Sequence, residues 1–250
     1  MPLWREMPLW RAPSPCRTLR EMGPDAIGVP ARRIPEATVV RLPVYQRILA
    51  DLLEGGITTV SSEELAERAG VNAAKVRRDF SLFGSFGTRG TGYDAAFLAA
   101  QIEHALGADR DWPVVIVGMG NLGRALANSD GFHSYGFRVS GVYDVDPAVV
   151  GAAVGGTTVQ HLDQLVDATA VAPIGVIATP ASAAQSVADI LVAAGAEAIL
   201  NFAPRVLVVP GPVLVRNVDL SIELQAVSFF LARRPAVPAW PDLRSGTGTS

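Results

Sequence analysis

The 250-residue sequence has a single cysteine and no long apolar run. Because Cys16 is alone, the chain cannot form an intramolecular disulfide or a zinc–thiolate cluster. No run of about 18 apolar residues is present, so a membrane-spanning helix is not expected. The N-terminus lacks the continuous apolar segment of a secretory signal, and we therefore expect a cytoplasmic protein.

Lysine and histidine are also scarce. Lys75 is the one lysine among 21 basic residues, and the chain has three histidines. Residues 1–90 hold 13 basic and 10 acidic residues, whereas residues 91–250 hold 8 and 14. The first third is therefore mildly basic, which is compatible with nucleic-acid binding but is weak support for it on its own.

The most informative stretch is 114–123. It begins with four β-branched residues, which predict a strand buried on both faces, as in a parallel sheet. A G-x-G-x-x-G motif and a helix follow at once. Gly118 permits the tight turn, Gly120 lets the backbone approach a pyrophosphate, and Gly123 lets the helix pack closely on the strand. The predicted dinucleotide-binding loop comprises Gly118, Met119, Gly120, Asn121, Leu122 and Gly123.

A second predicted strand, residues 139–143, ends at Asp144. An acidic residue at this position binds a ribose hydroxyl and repels a 2′-phosphate, which favours NAD(H) over NADP(H). Further strands are predicted within residues 171–178 and at 198–201, and ligands of such sheets bind at the carboxyl ends of the strands. These strand ends add Thr179, Pro180, Asn201, Phe202 and Pro204 to the predicted site.

Two other interpretations of this region stay open. The loop could serve packing alone, or the domain could bind another phosphate ligand such as coenzyme A. For Phe202 and Pro204, a turn that merely ends a strand explains the sequence equally well.

The preceding region has a helix–turn–helix pattern. Pro43 is predicted at the first position of a helix. Ser61 with Glu64 forms a capping box that begins a second helix. Asn72 caps a third helix over residues 73–82.

The third helix carries a basic face opposite its apolar one. Val76, Phe80 and Phe83 are predicted to point inward. A glycine-rich segment over residues 84–93 follows and is predicted to form a β-hairpin, the wing of a winged helix. The predicted DNA contacts are Lys75, Arg77, Arg78 and Ser81 in the major groove and Arg89 in the minor groove. A solvated basic face and a flexible linker are the alternatives.

The fold class predicted is α/β, with a winged helix–turn–helix domain before a Rossmann-like domain. A last helix after Asp219 is apolar around most of its circumference, so either its own domain or a partner subunit must cover it. The predicted divisions are a disordered extension (1–35), the winged helix (36–93), a linking helix (94–111), the Rossmann-like domain (112–218), the C-terminal helix (219–232) and a disordered tail (233–250).

These segments together resemble the Rex family of redox-sensing transcriptional repressors over residues 35–235. The matching stretches include RLPVY (41–45), VRRDFS (76–81), GTRGTGY (87–93), the glycine loop, DVDP (144–147), NFAP (201–204) and VDL (218–220). The resemblance implies a homodimer with a C-terminal helix swapped onto its partner. It also implies that NADH, accumulating relative to NAD⁺, releases the protein from a palindromic double-stranded operator.

The resemblance implies that Gly90 joins Arg89 in the minor groove, and it further implies a switch. It couples Arg47 on the first helix to Asp219 and to a tyrosine near the nicotinamide. This chain has Ser129 at the tyrosine position, a departure that bears directly on redox sensing.

The alternative from another class is an NAD-dependent dehydrogenase, which needs an acid or base beside the nicotinamide. His104, His133, His161 and Lys75 are the candidates, and each is better explained as a surface or packing residue. The sequence therefore predicts a regulator and not an enzyme. A repressor that is blind to redox state, or that senses coenzyme A, is the third possibility.

Overall fold

The computed structural model describes residues 34–83, 92–165 and 172–234. The chain divides into two compact units, Met1–Asp109 and Arg110–Ser250. Among the described residues, no helix combines the length and hydropathy that a membrane span requires.

The first unit is a small helical domain with one two-stranded ribbon. Its elements are α1 (Glu36–Glu54), β1 (Thr59–Val60), α2 (Ser62–Arg68), α3 (Ala73–Ser81), β2 (Tyr93–Asp94) and α4 (Ala95–Leu106). Strands β1 and β2 pair antiparallel. The predicted wing contacts, Arg89 and Gly90, lie outside the described residues.

The predicted helix starts are confirmed for α2 and α3. The Ser61 hydroxyl accepts from the backbone N–H of Glu64 at 3.0 Å, and the Asn72 side chain accepts from that of Lys75 at 2.8 Å. Each cap satisfies an N–H group that has no partner within its helix. The helix–turn–helix therefore begins where the polar side chains predict.

The start of α1 differs from the prediction. The helix begins at Glu36 and not at Pro43, which lies inside it. Proline removes one backbone hydrogen bond there. The position is tolerated because Pro43 is exposed, while Leu42 and Tyr45 on either side are buried in the core and hold both halves of the helix in place.

Helix α4 belongs to the first unit. Leu98 and Ile102 are buried with Leu42, Leu49 and Phe80 in one apolar cluster. The sequence predicts a linking helix in this place, whereas in the structure its inner face completes the core of the first unit.

The second unit is a seven-stranded sheet with helices. Its strands are β3 (Trp112–Val117), β4 (Phe137–Asp144), β5 (Ala153–Val154), β6 (Thr157–His161), β7 (Ile174–Ile177), β8 (Ala198–Asn201) and β9 (Leu214–Asn217), and its helices are α5 (Asn121–Ala127), α6 (Asp130–Ser134), α7 (Ala181–Ala193) and α8 (Leu220–Ala232). The strand order is β5-β6-β4-β3-β7-β8-β9. All neighbouring pairs are parallel except β5 with β6.

The order in which strands are added to the sheet reverses at β3, while the strands themselves stay parallel. Strands β4 and β6 lie on one side of β3, and β7 lies on the other. Ligands of open α/β sheets bind at such a switch point, outside the carboxyl ends of the strands. Strand β6 was not predicted, because its alternation of Thr, Val and Gln carries a weak apolar signal.

Helix α8 is the exception to good packing. None of its residues is buried within the described chain, although Leu224 and Phe230 are large and apolar. Asp219 caps it by accepting from the backbone N–H of Ser221 at 2.9 Å. Burial in its own domain, one of the two predicted alternatives, is therefore not observed in the single chain.

Candidate nucleotide cleft and basic helix

The three glycines of the loop between β3 and α5 serve different geometric ends. Gly118 has φ of +98°, and a Cβ there would lie 2.7 Å from the carbonyl oxygen of Ala178. A Cβ at Gly123 would collide with the carbonyl oxygen of Gly118. At Gly120 a Cβ would meet no atom within 4 Å, so this point of the loop faces open space.

Asp144, at the end of β4, braces this loop. One carboxylate oxygen accepts from the backbone N–H of Met119 at 2.6 Å, and the other accepts from that of Asp146 at 2.9 Å. The guanidinium of Arg124 on α5 donates to the carbonyl oxygen of Met119 at 2.9 Å. The loop is therefore held from the neighbouring strand and from its own helix.

A cleft of about 340 Å³ lies at the carboxyl edge of β3, β4 and β7. Its volume falls within the roughly 300–1,000 Å³ of small-molecule sites. Of the predicted site residues, it is lined by Gly118, Met119, Gly120, Asp144, Thr179 and Pro180. The lining residues that sequence reasoning missed are Val117, Val145, Asp146, Val149, Leu162, Ala178, Ala183, Ser186 and Val187.

The hydroxyl of Thr179 shows that this cleft suits a polar ligand. Its oxygen is buried and has no hydrogen-bond partner within the described part of the chain. A buried polar group without a partner is costly, and a ligand hydroxyl or phosphate would satisfy it. The open space at Gly120 and the carboxylate of Asp144 also fit a dinucleotide, so the residues present are compatible with NAD(H).

Other predicted contacts lie away from this cleft. Asn121, Leu122 and Gly123 begin α5, and neither they nor Phe202 and Pro204 are among its lining residues. The Asn201 side chain is fully buried. Its amide nitrogen lies 2.8 Å from the carbonyl oxygen of Arg205 and 2.9 Å from Oδ1 of Asn217, so it fastens the turn after β8. The ligand-binding roles of these predicted residues, from Asn121 to Pro204, stay predictions.

Helix α3 of the first unit presents the expected basic face. Val76 and Phe80 are buried, whereas the side chains predicted to contact DNA are exposed: Lys75, Arg77, Arg78 and Ser81. Phe83, the third residue predicted to point inward, is partly buried. The exposed set fits a surface that meets phosphates and base edges.

Arg77 is nevertheless tied to α2. Its Nη1 donates to the Ser62 hydroxyl at 2.8 Å and to Oε1 of Glu63 at 2.9 Å. Hydrogen bonds from its own backbone N–H, Arg77 and Ser62 hold the pKa of Glu63 below its usual value. Arg77 is thus partly engaged within the protein, while Lys75 and Arg78 extend from the exposed face.

Sequence reasoning missed the role of Asp79 on α3. It is 2% exposed, and its carboxylate accepts hydrogen bonds from Thr38, Arg41 and Tyr45, all on α1. Burial alone would raise the pKa of Asp79, but these hydrogen bonds outweigh burial and lower it. The one available signal was a charged residue between Val76 and Phe80 on the apolar side of the helix.

Comparison with known proteins matches each unit separately. A model described as the N-terminus of a putative DNA-binding protein matches residues 33–81, and one described as a CoA binding domain matches residues 109–205. The redox-sensing transcriptional repressor Rex of Streptomyces avermitilis is 60% identical over 207 residues, covering 82% of this chain and 82% of the relative. This chain belongs to the Rex family.

Other Rex relatives agree over most of their length. Rex of Syntrophomonas wolfei is 48% identical over 80% of this chain and 96% of the relative. The crystal structure of RSP in complex with β-NAD⁺ and operator DNA is 38% identical, covers 80% of this chain and 93% of that one, and has a TM-score of 0.76. The complex of RSP with β-NADH has a TM-score of 0.74 at 37% identity.

Membership of the Rex family confirms the predicted fold class and the prediction of a transcriptional regulator in preference to a dehydrogenase.

The three predicted switch residues are divided between the two units. Arg47 is exposed on α1 of the first unit, and Ser129 and Asp219 belong to the second unit. Ser129 is exposed after α5. Hydrogen bonds from the hydroxyl and backbone N–H of Ser221 lower the pKa of Asp219.

Proposed function

We propose that this protein is a cytoplasmic repressor that binds a palindromic DNA operator and is released when NADH binds in the cleft. The observation that carries the proposal is the open backbone at Gly120 beside Asp144, in a chain whose first unit exposes a basic helix. The RSP structures, whose ligands include β-NAD⁺, β-NADH and operator DNA, support it.

On the DNA side, α3 enters the major groove. Lys75 and Arg78 meet phosphates and guanine edges, and Ser81 extends the same face. Arg77 also contacts DNA when its hydrogen bond to Glu63 is broken. Arg89 and Gly90 reach the adjacent minor groove.

On the ligand side, Gly118 to Gly123 and the start of α5 hold the pyrophosphate. Asp144 accepts from the adenosine ribose hydroxyls, for which its remaining lone pairs are free to act, and Thr179 and Pro180 lie towards the nicotinamide half. Asn201, Phe202 and Pro204 shape the sheet edge beyond them. When bound, the cofactor supplies a ring that is neutral when reduced and charged when oxidised, and an apolar surrounding favours the neutral form.

A second copy of the chain covers α8. The exposed apolar residues of this helix are Leu220, Ile222, Leu224, Val227, Phe229, Phe230 and Leu231. A contiguous apolar surface of this kind marks an interaction site. In the proposed homodimer two α3 helices meet two half-sites, so we expect the operator to be palindromic.

The proposed switch involves Arg47, Asp219 and the residue at the tyrosine position, here Ser129. The side chain of Ser129 is short and has no aromatic ring, so it cannot stack on a nicotinamide as tyrosine does. We therefore expect a weaker response to NADH than a tyrosine at this position would give. Regulation requires only that the ligand binds the two dimer states with different affinities. The corresponding coupling free energy is typically about 1–3 kcal/mol.

A coenzyme A sensor on the same scaffold is the second candidate, because the matched model of the second unit is described as a CoA binding domain. The carboxylate of Asp144 argues against it, since coenzyme A carries a phosphate on its ribose that a carboxylate repels. Competition between NADH and coenzyme A for the cleft decides between them.

The test is fluorescence anisotropy of a palindromic, A·T-centred duplex at fixed salt, with NADH titrated against a constant NAD⁺ background. We expect release by NADH and not by NAD⁺ or coenzyme A. Ser129→Tyr, measured in parallel, should lower the NADH concentration needed for release.

DNA binding that responds to neither nucleotide, in the native protein and in Ser129→Tyr alike, would contradict the redox switch. Release by coenzyme A alone would establish the second candidate. Absence of any preference for a DNA sequence would contradict the repressor itself.

A further inference from the structure

A single carboxylate joins α3 to α1. Oδ1 of Asp79 accepts from the Thr38 hydroxyl at 2.9 Å and from Nη2 of Arg41 at 2.7 Å. Oδ2 accepts from Nε of Arg41 at 2.7 Å and from the Tyr45 hydroxyl at 2.9 Å. All three donor residues lie on α1 at spacings of three and four, so they form one row along one face of that helix.

This arrangement is directional, whereas the apolar part of the contact between α3 and α1 is less so. Val76 and Phe80 bury apolar surface, which permits small rotations of the helix about its own axis. Four hydrogen bonds to a planar carboxylate fix its orientation, and the fork of Arg41 binds it in a bidentate manner. Asp79 therefore sets the angle at which α3 presents its exposed side.

The opposite flank of α3 is also held, by Arg77 on Ser62 and Glu63 of α2. The helix is thus fastened on both sides of its apolar seam. A rotation of about 20° would move a group about 6 Å from the helix axis by about 2 Å. That shift is enough to break a hydrogen bond to a base edge, while a contact with a phosphate adapts more readily.

We propose that Asp79 is a positioning residue, which fixes the rotation of α3 on α1 and thereby sets the sequence specificity of DNA recognition. The inference rests on the proposed function, because it assumes that α3 reads DNA. Asp79 itself touches α1 and points away from the exposed basic face.

The measurable quantity is a ratio of two affinities. Specific binding is measured on a duplex that the wild-type protein selects from a randomised pool, and non-specific binding on a scrambled duplex of the same length, both at fixed salt with NAD⁺ present. A variant that is partly unfolded loses both affinities by the same factor. The ratio therefore reports the geometry of the folded helix.

The test variant is Asp79→Asn, which keeps the size of the side chain but replaces one acceptor by a donor that faces donors. It also removes a negative charge, which favours non-specific binding to phosphates. We expect the specific affinity to fall about tenfold or more while the non-specific affinity stays within about twofold or rises. Arg41→Lys, which keeps the charge but loses the fork, should lower the ratio by a smaller factor.

Asp51→Asn is the matched control, since Asp51 is an exposed acid on α1 and loses the same charge. Its ratio should equal that of the wild type. An unchanged ratio in Asp79→Asn, or an equal fall in the control, would overturn the positioning role. If the wild-type protein selects no sequence from the pool, the proposed function fails and the positioning role fails with it.

Discussion

The two units position their functional groups by opposite means. In the first unit a buried carboxylate and three side chains of α1 hold α3, whose exposed side chains are the proposed DNA contacts. In the second unit the lack of side chains at Gly118 and Gly120 leaves backbone open at one edge of the cleft, beside the side chains of Asp144 and Thr179. The Asp79 network joins residues 34 to 41 positions apart, whereas the glycine loop spans six consecutive residues.

This difference predicts how each site fails. A site made of side chains fails when one partner is removed and the other is left buried and unpaired. A glycine loop that presents its backbone fails when a side-chain atom is added. Substitutions that remove a side chain from the Asp79 network, and substitutions that add one to the glycine loop, therefore test this difference directly.

The largest effect is expected for Arg41→Ala. It leaves the buried Asp79 carboxylate without its counter-charge, and breaking a buried ion pair costs about 3–5 kcal/mol. Since the Arg41 side chain is 22% exposed, we expect the low end of that range in urea unfolding. Arg68→Ala, which breaks an exposed pair with Glu64, should cost about 0.5 kcal/mol or less. Equal losses in both variants would show that the Asp79 network is no stronger than a surface pair.

Alanine at two loop glycines should give the next largest effects, and they should differ in kind. Gly123→Ala forces a Cβ against the Gly118 carbonyl oxygen and should cost about 1–3 kcal/mol of unfolding free energy. Gly120→Ala meets open space and should change stability by about 0.5 kcal/mol or less, yet weaken NADH binding in calorimetry. Retention of full NADH affinity by Gly120→Ala would show that the pyrophosphate lies elsewhere.

Arg78→Ala tests the exposed side of α3 and should have a smaller effect on DNA binding. Loss of one phosphate contact reduces the slope of log affinity against log salt by about 1. Loss of a base contact instead lowers the affinity for the selected duplex alone. Anisotropy titrations at several salt concentrations separate the two results, and no change in either quantity would remove Arg78 from the interface.

The smallest effect concerns pH. The pKa of Asp79 is lower in the folded protein than its ordinary value of about 3.9, so the stability it contributes is fully present above that value. That contribution is lost as pH falls through the lowered folded pKa. Urea unfolding between pH 5 and pH 2 should therefore show the wild type approaching the stability of Asp79→Asn. A difference that stays constant over this range would contradict the assignment.

The glycine loop, Asp144 and the caps at Ser61 and Asn72 could be predicted because each depends on neighbours within a few residues. The Asp79 network could not, since its partners are 34 to 41 residues distant and the identity of a buried charge gives no clue to its partner. Pro43 misled the prediction of α1 for a related reason. A local preference of proline was overridden by the burial of Leu42 and Tyr45, which only the tertiary core reveals.

Part of the cleft was also beyond local inference. Ala183 and Val187 lie on α7 and reach the cleft because β7 crosses to the far side of β3. Nothing in the composition of an alanine-rich helix distinguishes a lining residue from a packed one. Asp146 could have been inferred from the sequence, because its position two residues after Asp144 places it at the same strand end.

In the proposed dimer, helix α8 links the action of this protein to its abundance. None of its residues is buried against the part of the chain that the structure describes, so its stabilisation would come from a second molecule, and that gain follows the law of mass action. In the proposed dimer, doubling the amount of protein raises both the number of repressors and the fraction that is assembled. Occupancy of an operator would therefore rise more steeply than expression, and dilution by cell growth without new synthesis would relieve repression before any nucleotide changes.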